Sequence, residues 1–144
     1  MLERRAEILL VEDNDGDVEL TEEAFARGKL SANLSVTHDG VEALDFLFRR
    51  GAFTGAVIPD LILLDLNMPR MDGKEFLSIV KQDPTLKYIP VIVFTSSSAQ
   101  ADITDVFLRY ANSYIIKPFS LEEYIEVLKQ VENFWIKLSQ LPRS

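Results

Sequence analysis

Short apolar runs alternate along the chain with longer segments in which apolar residues recur every three or four positions. Four runs are too short for a helix, and they lie at residues 8–11, 61–64, 91–94 and 114–116. Continuous apolar runs of this length are typical of strands that are buried on both faces, as in parallel sheets. A fifth segment, residues 34–38, alternates apolar and polar positions, which predicts a strand at a sheet edge.

The segments between these runs have helical periodicity. The predicted helices cover residues 17–27, 41–49, 74–82 and 99–108, and a long final helix extends from 121 to 138. Ser120 is a suitable N-cap for the final helix, because Glu123 follows it at the spacing of a capping box.

The final helix has two groups of apolar residues. One group forms a core stripe of Leu121, Tyr124, Ile125, Leu128, Val131, Trp135 and Leu138. The other lies off that stripe and consists of Val127, Phe134 and Ile136. Apolar residues outside the core stripe predict a second surface that is exposed for a partner.

Strands that alternate with helices predict an α/β fold, in which helices cover both faces of a parallel sheet. We predict a doubly wound, five-stranded sheet with strand order 2-1-3-4-5, which is the order of flavodoxin-like folds. The length of 144 residues is typical of one domain. We therefore expect residues 1–144 to form a single domain with a core over about 7–138 and no separate output domain.

Composition excludes several classes of function. The net charge of −8 argues against nonspecific binding to nucleic acid or to an anionic membrane. The absence of cysteine excludes disulfides, zinc–thiolate sites and a thiol nucleophile. No apolar run approaches the roughly 18 residues of a membrane helix, and the N-terminus lacks the pattern of a signal peptide. We expect a cytoplasmic protein.

Polar residues follow four of the predicted strands. In a parallel sheet the carboxyl ends of all strands share one rim, where such folds bind ligands. The residues expected at this rim are Glu12, Asp13, Asp65, Asn67, Thr95 and Lys117. Their four charged side chains carry a formal charge of −2, which a divalent cation would neutralise.

The residue types at the rim favour phosphoryl transfer. All-oxygen ligands suit a hard cation, and Mg²⁺ typically takes one or two carboxylates together with waters and phosphate. The Lys117 ammonium and the Thr95 hydroxyl could bind phosphoryl oxygens beside such an ion. Asp65 could then act as a nucleophile and form an aspartyl phosphate. We assign no role to His38, the single histidine.

These residues resemble the receiver domain of bacterial two-component response regulators. The matching motifs are Glu12-Asp13, Asp65-Leu66-Asn67-Met68-Pro69, Met71-Asp72-Gly73, Thr95-Ser96 and Lys117-Pro118-Phe119. The resemblance implies that Asp65 accepts a phosphoryl group from a phosphohistidine of a sensor histidine kinase. It also implies that Thr95 and Lys117 contact the phosphoryl oxygens. The implied Mg²⁺ ligands are Glu12, Asp13, Asp65 and the backbone carbonyl of Asn67.

The resemblance implies further features of switching and partnership. Tyr114 would be an aromatic switch that turns inward when Thr95 moves, and the Lys117–Pro118 peptide would be cis. The long connection over residues 50–59 and the end of the last helix resemble stand-alone regulators of bacterial phytochrome kinases. Those regulators are often homodimers that associate through the fourth helix, the fifth strand and the fifth helix.

Two other functions are compatible with a strand-end aspartate or with this fold class. A Mg²⁺-dependent phosphatase of the haloacid-dehalogenase type would need a second aspartate at the position of Asn67. A flavodoxin-like FMN-binding protein would need a first loop rich in hydroxyl groups and glycine, whereas residues 12–17 are mostly acidic. Turnover of a phosphoester or a flavin colour would favour these alternatives.

Overall fold

The computed structural model describes residues 5–141, which contain a five-stranded parallel sheet with the order β2-β1-β3-β4-β5. The strands are β1 (Glu7–Val11), β2 (Asn33–Thr37), β3 (Leu61–Leu64), β4 (Val91–Thr95) and β5 (Ser113–Ile116). The helices are α1 (Asp15–Arg27), α2 (Gly40–Leu47), α3 (Gly73–Gln82), α4 (Gln100–Leu108) and α5 (Leu121–Val131). The predicted α/β class and strand order are confirmed.

The sheet divides the core into two apolar clusters, because neighbouring residues of a strand point to opposite faces. In β1, Leu9 and Val11 belong to the cluster shared with α2, α3 and α4. Ile8 and Leu10 belong to the cluster shared with α1 and α5. No helix within the described residues is long and apolar enough to span a membrane.

The two edge strands differ from the central three in burial. β2 is exposed at Asn33, buried at Thr37 and partly buried between them, as expected for a strand at a sheet edge. The expectation that residues 114–116 are buried on both faces is wrong, because β5 forms the other edge of the sheet. Its last residue, Ile116, is 46% exposed.

Side-chain caps determine where the helices begin. Asn14 Oδ1 accepts a hydrogen bond of 2.9 Å from the backbone N–H of Asp17, so α1 begins at Asp15, two residues earlier than predicted. The predicted cap of α5 is confirmed, since Ser120 Oγ accepts a hydrogen bond of 3.2 Å from the Glu123 N–H. Both caps satisfy N–H groups that have no partner inside the helix.

The chain continues beyond α5 as a π-helical segment, Glu132–Leu138. Hydrogen bonds in a π-helix span five residues, so side chains in this segment no longer follow the 3.6-residue period on which the predicted core stripe is based. Leu138, predicted to face the core, is 69% exposed. Phe134 is exposed as expected, but Val127 and Ile136 are half-buried against the cluster shared with α1 and α5. The second apolar surface is therefore smaller than predicted.

Glu132 connects the π-helical segment to the loop before β2 through hydrogen bonds. Its buried carboxylate accepts hydrogen bonds of 2.8 Å from the Ser31 N–H and 3.3 Å from the Ala32 N–H through Oε2. The Ser31 hydroxyl donates to the same oxygen at 3.2 Å, and Lys137 Nζ lies 3.3 Å from Oε1. A single carboxylate thus pairs two backbone donors from a distant part of the chain.

Replacing Glu132 by alanine is expected to lower the free energy of unfolding by about 2 kcal/mol, because it removes the acceptor of the Ser31 N–H and of the buried Ala32 N–H. Urea denaturation measures the change. The matched control is Glu126→Ala on an exposed part of α5, where the carboxylate accepts a hydrogen bond from Gln130, and its effect should stay within about 0.5 kcal/mol. Equal losses in the two variants would contradict a bonding role for Glu132.

Candidate functional site

Three carboxylates meet at the carboxyl ends of β1 and β3. These strands are adjacent and Val11 is paired with Leu64, so the residues that follow them emerge side by side. One oxygen from each of Glu12, Asp13 and Asp65 lies within 4.8 Å of the others. Glu12 and Asp65 are buried, whereas Asp13 is exposed. The rim therefore brings together the three acids that the sequence predicts there.

Lys117 is the cation of this site and is buried at the end of β5. Its Nζ atom lies 2.5 Å from Glu12 Oε1, 2.8 Å from Asp17 Oδ2 and 3.6 Å from Asp65 Oδ1. Burial alone would lower the pKa of Lys117, but hydrogen bonds to Asp17 and Glu12 raise it above its ordinary value. The ammonium therefore stays charged and offsets part of the acidic charge.

Glu12 is the most deeply buried of the three carboxylates. Its Oε2 atom accepts a hydrogen bond of 3.1 Å from the Asn14 N–H. Burial raises the pKa of Glu12 to about 7, and the neighbouring Asp65 carboxylate adds to the rise while Lys117 opposes it. The site thus holds excess negative charge that an added cation would relieve.

Thr95 ends β4, and its side chain is completely buried. Its Oγ1 atom has no hydrogen-bond partner within the described part of the chain. An unpaired buried hydroxyl is costly. A hydroxyl in this position is suited to donate to an oxygen of a group bound at the rim.

The loop between β3 and α3 is packed closely on Asp65. A Cβ atom at Gly73 would lie against the Asp65 carbonyl oxygen and 2.8 Å from Leu66 Cα, so only glycine fits at the start of α3. Asn67 lies exposed in this loop, two residues after Asp65. The role of its carbonyl as a metal ligand stays a prediction.

An ion pair connects the same loop to Asp39, the N-cap residue of α2. Arg70 donates to the buried carboxylate of Asp39 through Nε at 2.8 Å and through Nη2 at 3.1 Å. Burial alone would raise the pKa of Asp39, but the Arg70 guanidinium lowers it below its ordinary value. The sequence analysis did not find this pair.

Tyr114 connects β5 to the loop after β4. Its ring is half-buried, and its hydroxyl donates a hydrogen bond of 2.8 Å to the Ser97 carbonyl oxygen. Ser97 Oγ in turn donates to Oδ2 of Asp102, which lies in α4.

The expected cis peptide at Lys117–Pro118 is wrong: this bond is trans, as is every described peptide, and trans is the lower-energy form even before proline.

Asp17 is the site residue that the sequence analysis missed. The sequence analysis placed it only at the start of the first helix and in a mostly acidic loop, yet its carboxylate contacts Lys117 and accepts a hydrogen bond of 3.4 Å from the Tyr124 hydroxyl. With Asp17 included, the five charged groups carry a formal charge of −3. The sequence feature that could have identified Asp17 is its place in the first helical turn after β1, next to the rim.

The family model for the response regulator receiver domain matches residues 8–129. The chain belongs to this family. It is 37% identical over 135 residues to the response regulator Rcp1 of Synechocystis sp., which covers 94% of this chain and 92% of Rcp1. The resemblance inferred from the motifs is confirmed, and it favours a receiver over the phosphatase and flavin alternatives.

Solved structures of related response regulators agree with the fold. The phosphorylated cyanobacterial phytochrome response regulator RcpA has a TM-score of 0.91 and 40% identity, with 97% of this chain and all of RcpA covered. The Mn²⁺-bound form of Rcp1 has a TM-score of 0.86 and 36% identity, with 96% of this chain and 99% of Rcp1 covered. The comparisons therefore confirm that the chain is similar to phytochrome response regulators.

Proposed function

We propose that this receiver accepts a phosphoryl group on Asp65 from the phosphohistidine of a sensor histidine kinase. The observation that carries the proposal is the cluster of Glu12, Asp13 and Asp65 within 4.8 Å, with Lys117 Nζ 3.6 Å from Asp65. The solved form of RcpA is phosphorylated, which supports the same chemistry here. The similarity to RcpA favours a phytochrome kinase as the partner, in the cytoplasm.

We infer that the bound metal is Mg²⁺, held by Glu12, Asp13, Asp65 and the Asn67 carbonyl. Oxygen ligands and a net negative charge fit a hard divalent cation. The existence of a Mn²⁺-bound form of Rcp1 supports a divalent cation for this chain as well. When bound, the ion supplies positive charge that stabilises the phosphoryl oxygens.

In the proposed reaction a carboxylate oxygen of Asp65 attacks phosphorus. The new O–P bond forms as the N–P bond of phosphohistidine breaks, and the imidazole leaves with the electron pair and takes up a proton. Lys117 and the unpaired Thr95 hydroxyl bind phosphoryl oxygens, which stabilises the charge of the transition state. The chain assists its own phosphorylation and dephosphorylation and turns over no external substrate.

We propose that phosphorylation is transmitted through Thr95 and Tyr114. Thr95 would move toward the phosphoryl group, and the hydrogen bond from Tyr114 to Ser97 would then hold the loop after β4 in its new position. Such a change alters a two-state equilibrium, provided that the phosphoryl group binds one state better than the other.

The surface formed by α4, β5 and α5, with the loops that join them, is the proposed output and homodimer face. Its exposed apolar side chains are Phe107, Leu108, Tyr110, Ile116 and Phe119. Contiguous exposed apolar groups mark protein contacts. Tyr114 lies in β5, so its movement would reach this face directly.

Phosphoryl uptake from acetyl phosphate tests the proposal. We expect intact-mass analysis to find one added phosphoryl group in the presence of Mg²⁺ and none when EDTA replaces it, because the uncompensated carboxylates repel an incoming anion. Peptide mapping should locate the group on the segment that contains Asp65. Equal uptake with Mg²⁺ and with EDTA would contradict the proposed role of the metal. A phosphoryl group on another segment would contradict the assignment of Asp65 as the acceptor.

A further inference from the structure

Asp17 is held between the site and α5. Its Oδ2 atom lies 2.8 Å from Lys117 Nζ, while its Oδ1 atom accepts the hydrogen bond of the Tyr124 hydroxyl at 3.4 Å. Tyr124 is almost completely buried, and its ring packs edge-on against Phe94 with centroids 5.4 Å apart. The position of the hydroxyl is therefore fixed by the core, and it orients the Asp17 carboxylate beside Lys117.

The Lys117 ammonium is already surrounded by acceptors. It has three N–H donors, and its carboxylate neighbours are Glu12 at 2.5 Å, Asp17 at 2.8 Å and Asp65 at 3.6 Å. The longest of these distances is to the proposed phosphoryl acceptor. Glu12 and Asp17 lie within hydrogen-bond distance and Asp65 does not, so a phosphoryl oxygen on Asp65 would take the third N–H and would compete with both carboxylates for the charge of the ammonium.

Asp17 is the contact that Lys117 can give up at lower cost. The Glu12 side chain is 2% exposed, and a buried carboxylate that loses its counter-ion is strongly destabilised. The Asp17 side chain is 29% exposed, so water can solvate it after the ammonium leaves. Tyr124 can continue to donate to its other oxygen.

We propose that Asp17 is a positioning residue that competes with the phosphoryl group for Lys117 and thereby weakens phosphoryl binding at Asp65. The inference rests on the proposed function, because it takes Asp65 as the acceptor. Removing the Asp17 charge acts twice in the same direction. It releases the Lys117 ammonium, and it removes one of the negative charges that face an incoming anion.

The affinity for beryllofluoride, a phosphoryl mimic, measures this competition in the full chain with Mg²⁺ present. Isothermal titration calorimetry would compare wild type, Asp17→Asn and Asp15→Asn. Asp15 is the matched control, because it carries the same charge in the same first turn of α1 and is exposed. We expect Asp17→Asn to bind the mimic roughly tenfold more tightly, and Asp15→Asn to stay within about twofold of wild type.

Asp17→Ala provides a second variant that also removes the Tyr124 contact, and it should gain affinity in the same direction. A purely structural role for Asp17 predicts weaker mimic binding together with lower stability. The inference would be overturned if Asp17→Asn bound beryllofluoride no more tightly than Asp15→Asn does.

Asp65→Asn separates this inference from the proposed function. If Asp65→Asn binds the mimic as tightly as wild type, the acceptor is elsewhere and the proposed function fails. If Asp65→Asn loses binding while Asp17→Asn and Asp15→Asn behave alike, only the role of Asp17 fails.

Discussion

Asp65→Asn is expected to abolish phosphoryl uptake from acetyl phosphate while leaving the chain folded. The amide lacks the carboxylate oxygen that attacks phosphorus. It also removes one of the charges that lie close together at the rim, and two carboxylates about 4 Å apart repel by roughly 4 kcal/mol at an effective dielectric near 20. The variant should therefore melt at or above the temperature of wild type in EDTA, so the loss of uptake is not a loss of fold.

Intact-mass analysis over a time course with Mg²⁺ gives the uptake, and circular dichroism gives the melting temperature. Asp45→Asn is the matched control, because it makes the same chemical change in α2, in a half-buried residue that lies 3.7 Å from Arg50. Its uptake should equal that of wild type. Phosphorylation of Asp65→Asn at the wild-type rate would remove Asp65 from the role of acceptor.

The pattern of apolar runs was sufficient to predict the fold and most of the rim. A parallel sheet aligns the carboxyl ends of its strands, so residues that directly follow β1 and β3 must be neighbours once the strand order is known. Glu12 and Asp65 were therefore predictable as a pair, although they are far apart in the sequence. The partial burial of β5 was not predicted, although the predicted strand order placed it at an edge, because its apolar run resembles that of a strand covered on both faces.

Contacts that depend on side-chain direction could not be read from the sequence. Asp17 and Lys117 meet although β3 and β4 separate β1 from β5 in the sheet, because the Lys117 side chain reaches the first turn of α1, and no periodicity specifies that direction. The hydrogen bonds that Ser31 and Ala32 donate to Glu132 join residues 101 and 100 positions apart, which the period of a helix cannot indicate. Both missed contacts involve long-range polar groups rather than the apolar pattern.

Gly73→Ala is expected to lower the free energy of unfolding by about 3 kcal/mol and to reduce phosphoryl uptake sharply. The added Cβ would meet backbone atoms of Asp65 and Leu66, and backbone cannot move aside as a flexible side chain does. Overpacking of this kind typically costs about 1–3 kcal/mol or more. Because the clash falls on the acceptor residue itself, the start of α3 and the end of β3 must separate, which displaces the Asp65 carboxylate from Lys117.

Gly55→Ala is the matched control for this prediction, since a Cβ at Gly55 would meet nothing within 4 Å. It should leave uptake unchanged and stability equal or slightly higher, because alanine restricts the unfolded chain. Urea denaturation and mass analysis of both variants separate the two effects of Gly73→Ala. If the variant lost stability but took up phosphate like wild type, α3 would have moved alone, and close packing on Asp65 would not be what positions its carboxylate.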